Sequence, residues 1–196
     1  MSEPLLHIVT YTGPFGFIKP WTAVRDSETF SQQFLTPSIL VGIERKLFPE
    51  LLNAPFSIDR IKGHRLSYNG MSMQQEQTQP RGWNKAGKDL IRKYAILTRG
   101  VMLNPMLHLA FEQRQDAEIA VTQHICLCRN EDILYPDAEI STIQADAFDA
   151  SPFDGFELIF ENNERSFLVG HNRFDGGNPM YGWLKVVGNP VKSSEL

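Results

Sequence analysis

One segment of the chain, residues 37 to 52, has the periodicity of an amphipathic helix, and it constrains the fold more than any other stretch. Apolar residues recur at helical spacing between Ile39 and Leu47 in the sequence FLTPSILVGIERKLFP. Thr36 is a favourable N-cap residue, and Pro37 suits the first helical position because its missing N–H would have no partner there. We expect a helix over 37–52 that buries one apolar stripe.

The other ordered segments have the pattern of β-strands. The last of them has the form of a closing hairpin, in which ENNER is the turn between two apolar alternations. A strand, a helix and then several strands predict an α+β fold with a mainly antiparallel sheet, one or two helices on one face and a β-rich C-terminal extension. The predicted strands fall within the segments 5–12, 56–70, 90–103, 106–113, 117–128 and 156–170.

Residues 71 to 88, MSMQQEQTQPRGWNKAGK, interrupt this series of strands. The segment is polar and Gln-rich, and it is nearly free of aliphatic residues from Gln74 to Lys88. Trp83 stands out because a large aromatic residue in a polar loop has no obvious core to join. Long loops inside compact domains are usually either functional or disordered. We expect a long exposed loop or a mobile hairpin tip here.

The charges of the chain are divided between two regions. The sequence of 196 residues is 42% hydrophobic with a net charge of −4, which is typical of a globular protein. Residues 60 to 99 contain nine Lys or Arg residues and two acids, a net charge of +7. Residues 116 to 165 contain twelve acids and two bases, a net charge of −10. The basic region suits contacts with phosphates, and the acidic region would repel them.

Cysteine and histidine residues form no metal signature. Cys126 and Cys128 are too close in sequence for an ordinary disulfide within a strand, and His124 beside them lacks a fourth ligand for zinc. His7 and His108 fall within predicted strands, where we expect structural roles. No nucleotide-binding or nucleophile motif is present, so we expect no metal and no cofactor. Free buried thiols, and an N-terminus without a secretory leader, favour a cytoplasmic protein.

Basic and aromatic residues are interleaved in two polar parts of the chain, a combination that suits single-stranded RNA. Lys and Arg contact phosphates, whereas a Trp ring stacks on a splayed base. His64 and His171 also have basic neighbours, which suits either a hydrogen bond to a phosphate or acid–base chemistry in RNA cleavage. The interleaved residues are Lys19, Trp21 and Arg25, followed by Arg81, Trp83, Lys85 and Lys88.

Three segments, in this order, resemble the CRISPR-associated protein family five, which caps the 5′ end of the guide RNA in multi-subunit interference complexes. The segment 13–48 contains a Phe-x-x-Pro sequence and the Thr-Pro-Ser start of the helix. The segment 81–97 contains a Lys-Asp pair before a basic strand. The segment 167–182 has His171 and Arg173 where the family commonly has Arg or Lys followed by Glu or Cys. The short chain is similar to the compact type IV form.

The resemblance implies a ferredoxin-like, RRM-related domain over residues 1–115, with a thumb at about 71–88, and a β-rich extension over 116–196. It implies a non-catalytic subunit that binds the 5′ handle of the guide RNA, contacts the backbone and large subunits of the effector complex, and lies near target DNA. In the family the Thr-Pro-Ser helix starts near the handle, and a helix N-terminus is a natural seat for a phosphate. The residues predicted to contact RNA are Lys19, Trp21, Arg25, Thr36, Ser38, Arg45, Lys62, His64, Arg65, Arg81, Trp83, Lys85, Lys88, Arg92, Lys93, His171 and Arg173.

Two other functions stay open at this point. Some members of the family are metal-independent endonucleases that process precursor guide RNA with a Tyr, a Lys and a His. The nearest counterparts in this chain are Tyr68, Lys62 and His64. The third alternative is an α+β protein outside this family that binds a peptide or a small molecule.

Overall fold

The computed structural model describes residues 4–22, 27–78, 82–92, 95–172 and 176–192, and its architecture is α+β with mainly antiparallel strands. Two short 3₁₀ turns, Pro49–Leu51 and Ala145–Asp149, accompany the helices. In chain order the elements are β1 (Leu5–Thr12), β2 (Phe15–Gly16), β3 (Glu28–Phe30), α1 (Pro37–Leu47), β4 (Ile61–Ser67), β5 (Gly70–Thr78), β6 (Trp83–Ala86), β7 (Asp89–Arg92), β8 (Ala95–Leu103), β9 (Met106–Phe111), α2 (Arg114–Ala120), β10 (Ile125–Cys126), β11 (Ile133–Gln144), β12 (Gly155–Ile159), β13 (Phe167–Asn172) and β14 (Asn178–Val187).

The main sheet of the described residues has eight strands in the order β10-β11-β1-β9-β4-β12-β14-β13. Its central strands β11, β1, β9 and β4 pair antiparallel with their neighbours. The chain passes through α1 between β1 and β4, and through α2 between β9 and β11, so each helical connection skips one strand of the sheet. The predicted α+β fold with a mainly antiparallel sheet is confirmed, and the predicted division into residues 1–115 and 116–196 stays a prediction.

Both helices pack on one face of the main sheet. The Tyr11 hydroxyl in β1 donates a hydrogen bond of 2.7 Å to the carbonyl of Ala120 in α2. The apolar stripe of α1 is buried as its periodicity predicted, and its most buried aliphatic residues are Leu40, Val41, Ile43 and Leu47. A smaller apolar cluster lies on the opposite face of the main sheet. Its member Ile8 adjoins Val9 along β1, and successive residues of a strand point to opposite faces. The cluster contains Ile8, Ala110, Phe148 and Phe153.

The segment that was predicted to be a loop or hairpin tip forms part of a long β-ribbon. Strands β5 and β8 pair antiparallel along their whole length, from Gly70 opposite Leu103 to Thr78 opposite Ala95. Beyond them β6 and β7 form a second antiparallel hairpin. β2 and β3 pair with the other edge of β8 near its C-terminal half. The hairpin prediction is confirmed for the described residues, and most of the segment is strand rather than loop.

The C-terminal strands attach to the main sheet through few backbone contacts. β12 pairs with β4 at one register position, Phe156 opposite Leu66. A short parallel bridge between Tyr68 and Val191 adds two hydrogen bonds of 3.0 and 2.9 Å. Side chains must therefore supply much of the connection at this junction.

Two predicted elements have different ends or types in the structure. The helix predicted over 37–52 ends at Leu47, because Pro49 has no N–H to continue it and begins a 3₁₀ turn instead. The strand predicted over 117–128 is wrong for its first part. That part belongs to α2, whose residues Asp116, Ala117 and Ala120 are buried at helical spacing.

The predicted closing hairpin over 156–170 is also wrong. Strands form on both sides of ENNER, but β14 lies between them and pairs with each. Sequential strands are often neighbours, and here the later strand takes that place.

The thiols of Cys126 and Cys128 are free as predicted, but Cys126 is half-buried and Cys128 is exposed. None of the helices in the described parts of the chain is long and apolar enough to span a membrane.

Candidate nucleic-acid interface

α1 starts at Thr-Pro-Ser as predicted, but Thr36 does not cap it with its side chain. Thr36 is the N-cap in extended backbone, φ −87° and ψ 163°, and Pro37 is the first helical residue. The amides of Ile39 and Leu40 already donate to the Thr36 carbonyl, at 3.0 and 3.1 Å. Thr36 is buried, but its side chain makes no cap hydrogen bond. The positive end of the helix dipole therefore lacks a side-chain oxygen at this position.

Two distant segments meet at this helix start. Ser38 Oγ lies 3.7 Å from Met180 Sδ in β14. A Cβ at Gly170 would lie 3.4 Å from Met180 Cε and 3.7 Å from Trp21 Cβ. The ring of Trp21 also contacts the ring of His171 edge to face, with centroids 5.5 Å apart. The α1 surface, as we name it, consists of Trp21, Thr36, Ser38, His171 and Met180.

The α1 surface combines three chemical groups that suit a single nucleic-acid strand. Trp21 is 46% exposed, so part of its ring is available for stacking, and His171 beside it is exposed. The Ser38 hydroxyl lies in the first turn of α1, where helix amides suit an anion. Lys19 is exposed two residues before Trp21. The structure thus brings together residues predicted from three separate segments, although sequence analysis did not identify Met180.

A second group of predicted residues lies on the ribbon tip, which we define as residues 83–92. Trp83 is 59% exposed, and the Arg92 guanidinium lies 5.7 Å from its ring centroid on the opposite strand. Lys85 and Leu90 are also a cross-strand pair, and strand alternation places them on the same face as Trp83 and Arg92. Gly87, φ 65°, opens the two-residue turn, followed by the exposed Lys88.

Four predicted residues are engaged in contacts away from these two surfaces. Arg45 donates to the carbonyls of Ala54 and Pro55, at 2.8 and 3.4 Å, and the Lys62 ammonium lies 4.0 Å from a Glu112 carboxylate oxygen. The two others, His64 and Arg65, are buried in β4. The predicted residues Arg25, Arg81, Lys93 and Arg173 lie outside the described residues.

Arg65 is the centre of a buried ion network between β4 and the C-terminal strands. Its guanidinium donates to Glu157, and to Asp149 at 2.5 Å, while Lys185 reaches the same Asp149 carboxylate at 2.6 Å. Glu157 also accepts the backbone N–H of His64 at 3.1 Å. The side chain of Arg65 is 1% exposed. The network supplies side-chain contacts at the junction where the backbone pairing is sparse.

The predicted endonuclease constellation is mostly buried. His64 and Tyr68 are each 4% exposed, whereas Lys62 lies at the surface. Burial, together with the Arg65 charge, lowers the pKa of His64 to about 3. Burial raises the pKa of Tyr68 above its ordinary value. His64 is therefore a weak base and Tyr68 a weak acid, so the pKa of neither suits general acid–base catalysis near neutral pH.

Two buried histidines, His64 and His108, should make stability depend on pH. Burial, followed by the charges of Lys192 and Arg65, lowers the pKa of His108 to about 4. In the unfolded chain His64 and His108 titrate near their ordinary pKa of about 6.5, so acid protonates the unfolded state first. The free energy of unfolding should fall by roughly 1 kcal/mol in total between pH 7 and pH 6, and more steeply below, until the folded-state pKa values are reached.

Urea unfolding at pH 7, 6 and 5 measures this dependence. The double variant His64→Gln/His108→Gln should have a flatter pH profile than the wild type, whatever its absolute stability. Parallel profiles for the two proteins would show that these histidines do not cause the dependence.

A cavity at the base of the ribbon had no signal in the sequence. This ribbon-base cavity has a volume of about 140 Å³. It escaped prediction because its walls come from four segments that carry no motif. No group of three His, Cys, Asp or Glu side chains suited to a metal occurs in the described ranges. The residues that line the cavity are Phe15, Gln74, Gln75, Glu76, Arg99, Arg129 and Glu131.

Comparison with known proteins finds similarity in structure alone. No family model matches the chain, and no curated protein matches it. A solved structure titled "CRISPR RNA-guided surveillance complex" contains a chain with a TM-score of 0.53 and 12% identity, covering 96% of this chain and 91% of that one. A second, titled "Crystal structure of Cas protein", has a TM-score of 0.42 and 14% identity, covering 97% of this chain and 100% of that one. The chain therefore shares its fold with a chain of a CRISPR RNA-guided surveillance complex.

Proposed function

We propose that this protein is the non-catalytic subunit that binds the 5′ handle of the guide RNA in a cytoplasmic CRISPR interference complex. It would be a member of the CRISPR-associated family five, in the compact type IV form, with backbone and large subunits as its partners and target DNA nearby. The central strand order β11-β1-β9-β4, with a helix after β1 and after β9, supports a ferredoxin-like, RRM-related domain. The similarity to a chain of an RNA-guided complex supports the same proposal.

The observation that carries this proposal is the α1 surface. An exposed Trp, a hydroxyl in the first turn of a helix and an exposed His come together from positions 21, 38 and 171. A base stacks on the ring, and a phosphate accepts from the Ser38 hydroxyl near the positive end of the helix dipole. The ribbon tip, with its exposed cations, would lie over the RNA and meet a backbone subunit.

Incubation of the purified protein with the repeat RNA of its own system, without metal, tests this proposal against the endonuclease alternative. Retention of intact RNA that contains the 5′ handle supports the binding subunit. Cleavage of the repeat RNA means an enzyme, and the same reaction with His64→Gln then shows whether the buried histidine takes part. Absence of RNA binding by the free protein and by its assembled complex would favour a peptide or small-molecule partner.

Substitutions at the start of α1 should separate stability from affinity. Ser38→Ala should keep or raise the melting temperature, because Ala is the better helix former. It should weaken RNA binding by about tenfold, because one hydrogen bond to a charged phosphate is lost. Thr36→Ala should cost less than the ~1 kcal/mol typical of a cap, since Thr36 makes no cap hydrogen bond.

Thermal unfolding and fluorescence anisotropy with labelled handle RNA measure the two quantities. The matched control is Ser141→Ala at an exposed position of β11, which should change neither quantity. Equal affinity of wild type and Ser38→Ala would remove Ser38 from the RNA-binding site.

A further inference from the structure

The ribbon-base cavity lies outside both surfaces that carry the proposed function. One wall is the face of the ribbon that carries Gln74, Glu76 and Arg99. The other walls are Phe15 in β2 and the residues Arg129 and Glu131, which precede β11. Gln74 and Arg99 are cross-strand neighbours in β5 and β8, so their side chains share that face. Gln77, three residues further along β5, points to the opposite face. The cavity is therefore a separate feature at the base of the same ribbon.

Two arginines of the cavity are held in place by their surroundings. Their guanidinium carbons lie 5.8 Å (Arg99) and 5.1 Å (Arg129) from the centroid of the buried Phe17 ring. Asp132, which is fully buried, accepts from Arg129 at 2.9 and 2.7 Å. Glu76 lies 3.6 Å from the Nε of Arg99. These ring contacts and ion pairs fix the polar groups of the wall before any ligand arrives.

The wall also contains the side-chain amide of Gln74. Gln74 is half-buried, and its side chain has no hydrogen-bond partner among the residues that the structure describes. A Gln amide offers two donors and an acceptor, so it matches a ligand edge that has both. Glu131, 3.3 Å from Arg129, adds a carboxylate acceptor at the rim. The cavity thus presents donors and acceptors side by side.

The charges of the wall select the class of ligand. The lining carries two carboxylates, of Glu76 and Glu131, and two guanidinium groups, so it has no excess positive charge and does not favour a phosphate. The polar wall does not suit a purely apolar ligand either. A neutral, planar group with donors and acceptors along one edge fits both conditions, and a nucleobase is such a group.

We infer that the ribbon-base cavity binds one unstacked nucleobase of the RNA, an inference that rests on the proposed function. Carboxylate acceptors favour a base with an exocyclic amino group, which adenine, cytosine and guanine have and uracil lacks. The cavity therefore adds base preference to binding that is otherwise directed at the phosphate backbone.

Binding of fluorescein-labelled oligoribonucleotides tests the inference, with oligo(A), oligo(C) and oligo(U) of eight nucleotides as probes. The wild type should bind oligo(A) and oligo(C) about tenfold more tightly than oligo(U). Gln74→Ala and Glu131→Gln should each bring the three affinities closer together, mainly by weakening oligo(A) and oligo(C). The control Gln77→Ala, on the outer face of the same strand, should retain the wild-type ratio.

Equal wild-type affinity for the three probes would overturn the inference and leave the proposed function standing. An unchanged ratio in Gln74→Ala, with the melting temperature also unchanged, would overturn it as well. Absence of binding to all three probes and to the repeat RNA would overturn both the inference and the proposed function.

Discussion

Loss of guide-RNA retention is the expected result when Lys85, Lys88 and Arg92 on the ribbon tip are changed together to Glu. All three side chains are exposed, and the Arg92 guanidinium lies over the ring of Trp83 on the same hairpin. The fold should therefore stay intact. Each neutralised phosphate releases counterions, so affinity should fall by on the order of a hundredfold or more at physiological salt. The slope of log affinity against log salt concentration should also decrease by about two.

Copurification of RNA with the tagged protein, followed by binding measurements at two salt concentrations, checks this result. The matched control reverses three cations elsewhere, Lys46, Arg114 and Arg165, and changes the net charge by the same amount. Equal losses in the two variants would mean that net charge, and not the ribbon tip, determines RNA binding.

Truncation of Arg65 should cause the largest loss of stability. Arg65→Ala leaves the carboxylate of Glu157, itself buried, without its main partner, and removal of one member of a buried ion pair costs about 3–5 kcal/mol. Lys185→Ala removes a cation from the same Asp149, but that pair is 31% and 51% exposed. Lys185→Ala should therefore lower the free energy of unfolding by at most about 1 kcal/mol.

Urea unfolding of both variants at pH 7 measures the difference. A third variant, Arg65→Met/Glu157→Leu, separates charge from packing, because replacement of both partners by apolar residues is commonly less costly than removal of one. It should be more stable than Arg65→Ala. A loss in Arg65→Ala no greater than in Lys185→Ala would show that the network contributes little to folding.

Elements that depend on interactions between residues close in the sequence were predicted well. The start of α1 at Pro37 follows from Thr36, Pro37 and the apolar period, and β1 has the predicted bounds, Leu5–Thr12. The short helix α2 was missed because Ile119 and Val121 have the β-branched side chains of a strand, whereas the buried Ala117 and Ala120 determine the packing. Packing against the sheet overrides local propensity in such a short segment.

Pairing between distant strands was not predictable in the same way. The alternation on both sides of ENNER is real, but nothing local indicates that β14 would lie between those strands. The burial of Arg65 likewise depends on Glu157, 92 residues later in the chain. His64 and Arg65 were predicted to contact RNA because they lie in a basic stretch with Lys62, and such residues are ordinarily exposed.

The candidate site was predicted in part. Trp21 and His171 were predicted from their chemistry and Ser38 from the resemblance, and the structure places the three near one another. The contact of Ser38 with Met180 had no sequence signal, and the ribbon-base cavity had none either. The RNA contacts of all these residues stay predictions that the variants above can test.

The α1 surface joins residues made early in synthesis to residues made late, since Ser38 and Met180 are 142 positions apart. At a translation rate of about 5–20 residues per second, roughly ten seconds pass between the two. During that interval a nascent chain has the helix but not the hairpin that completes the surface beside it. We therefore expect ribosome-bound chains that end before β14 to bind guide RNA more weakly than the complete fold, so that RNA binding itself would favour chains with a finished C-terminal hairpin for assembly.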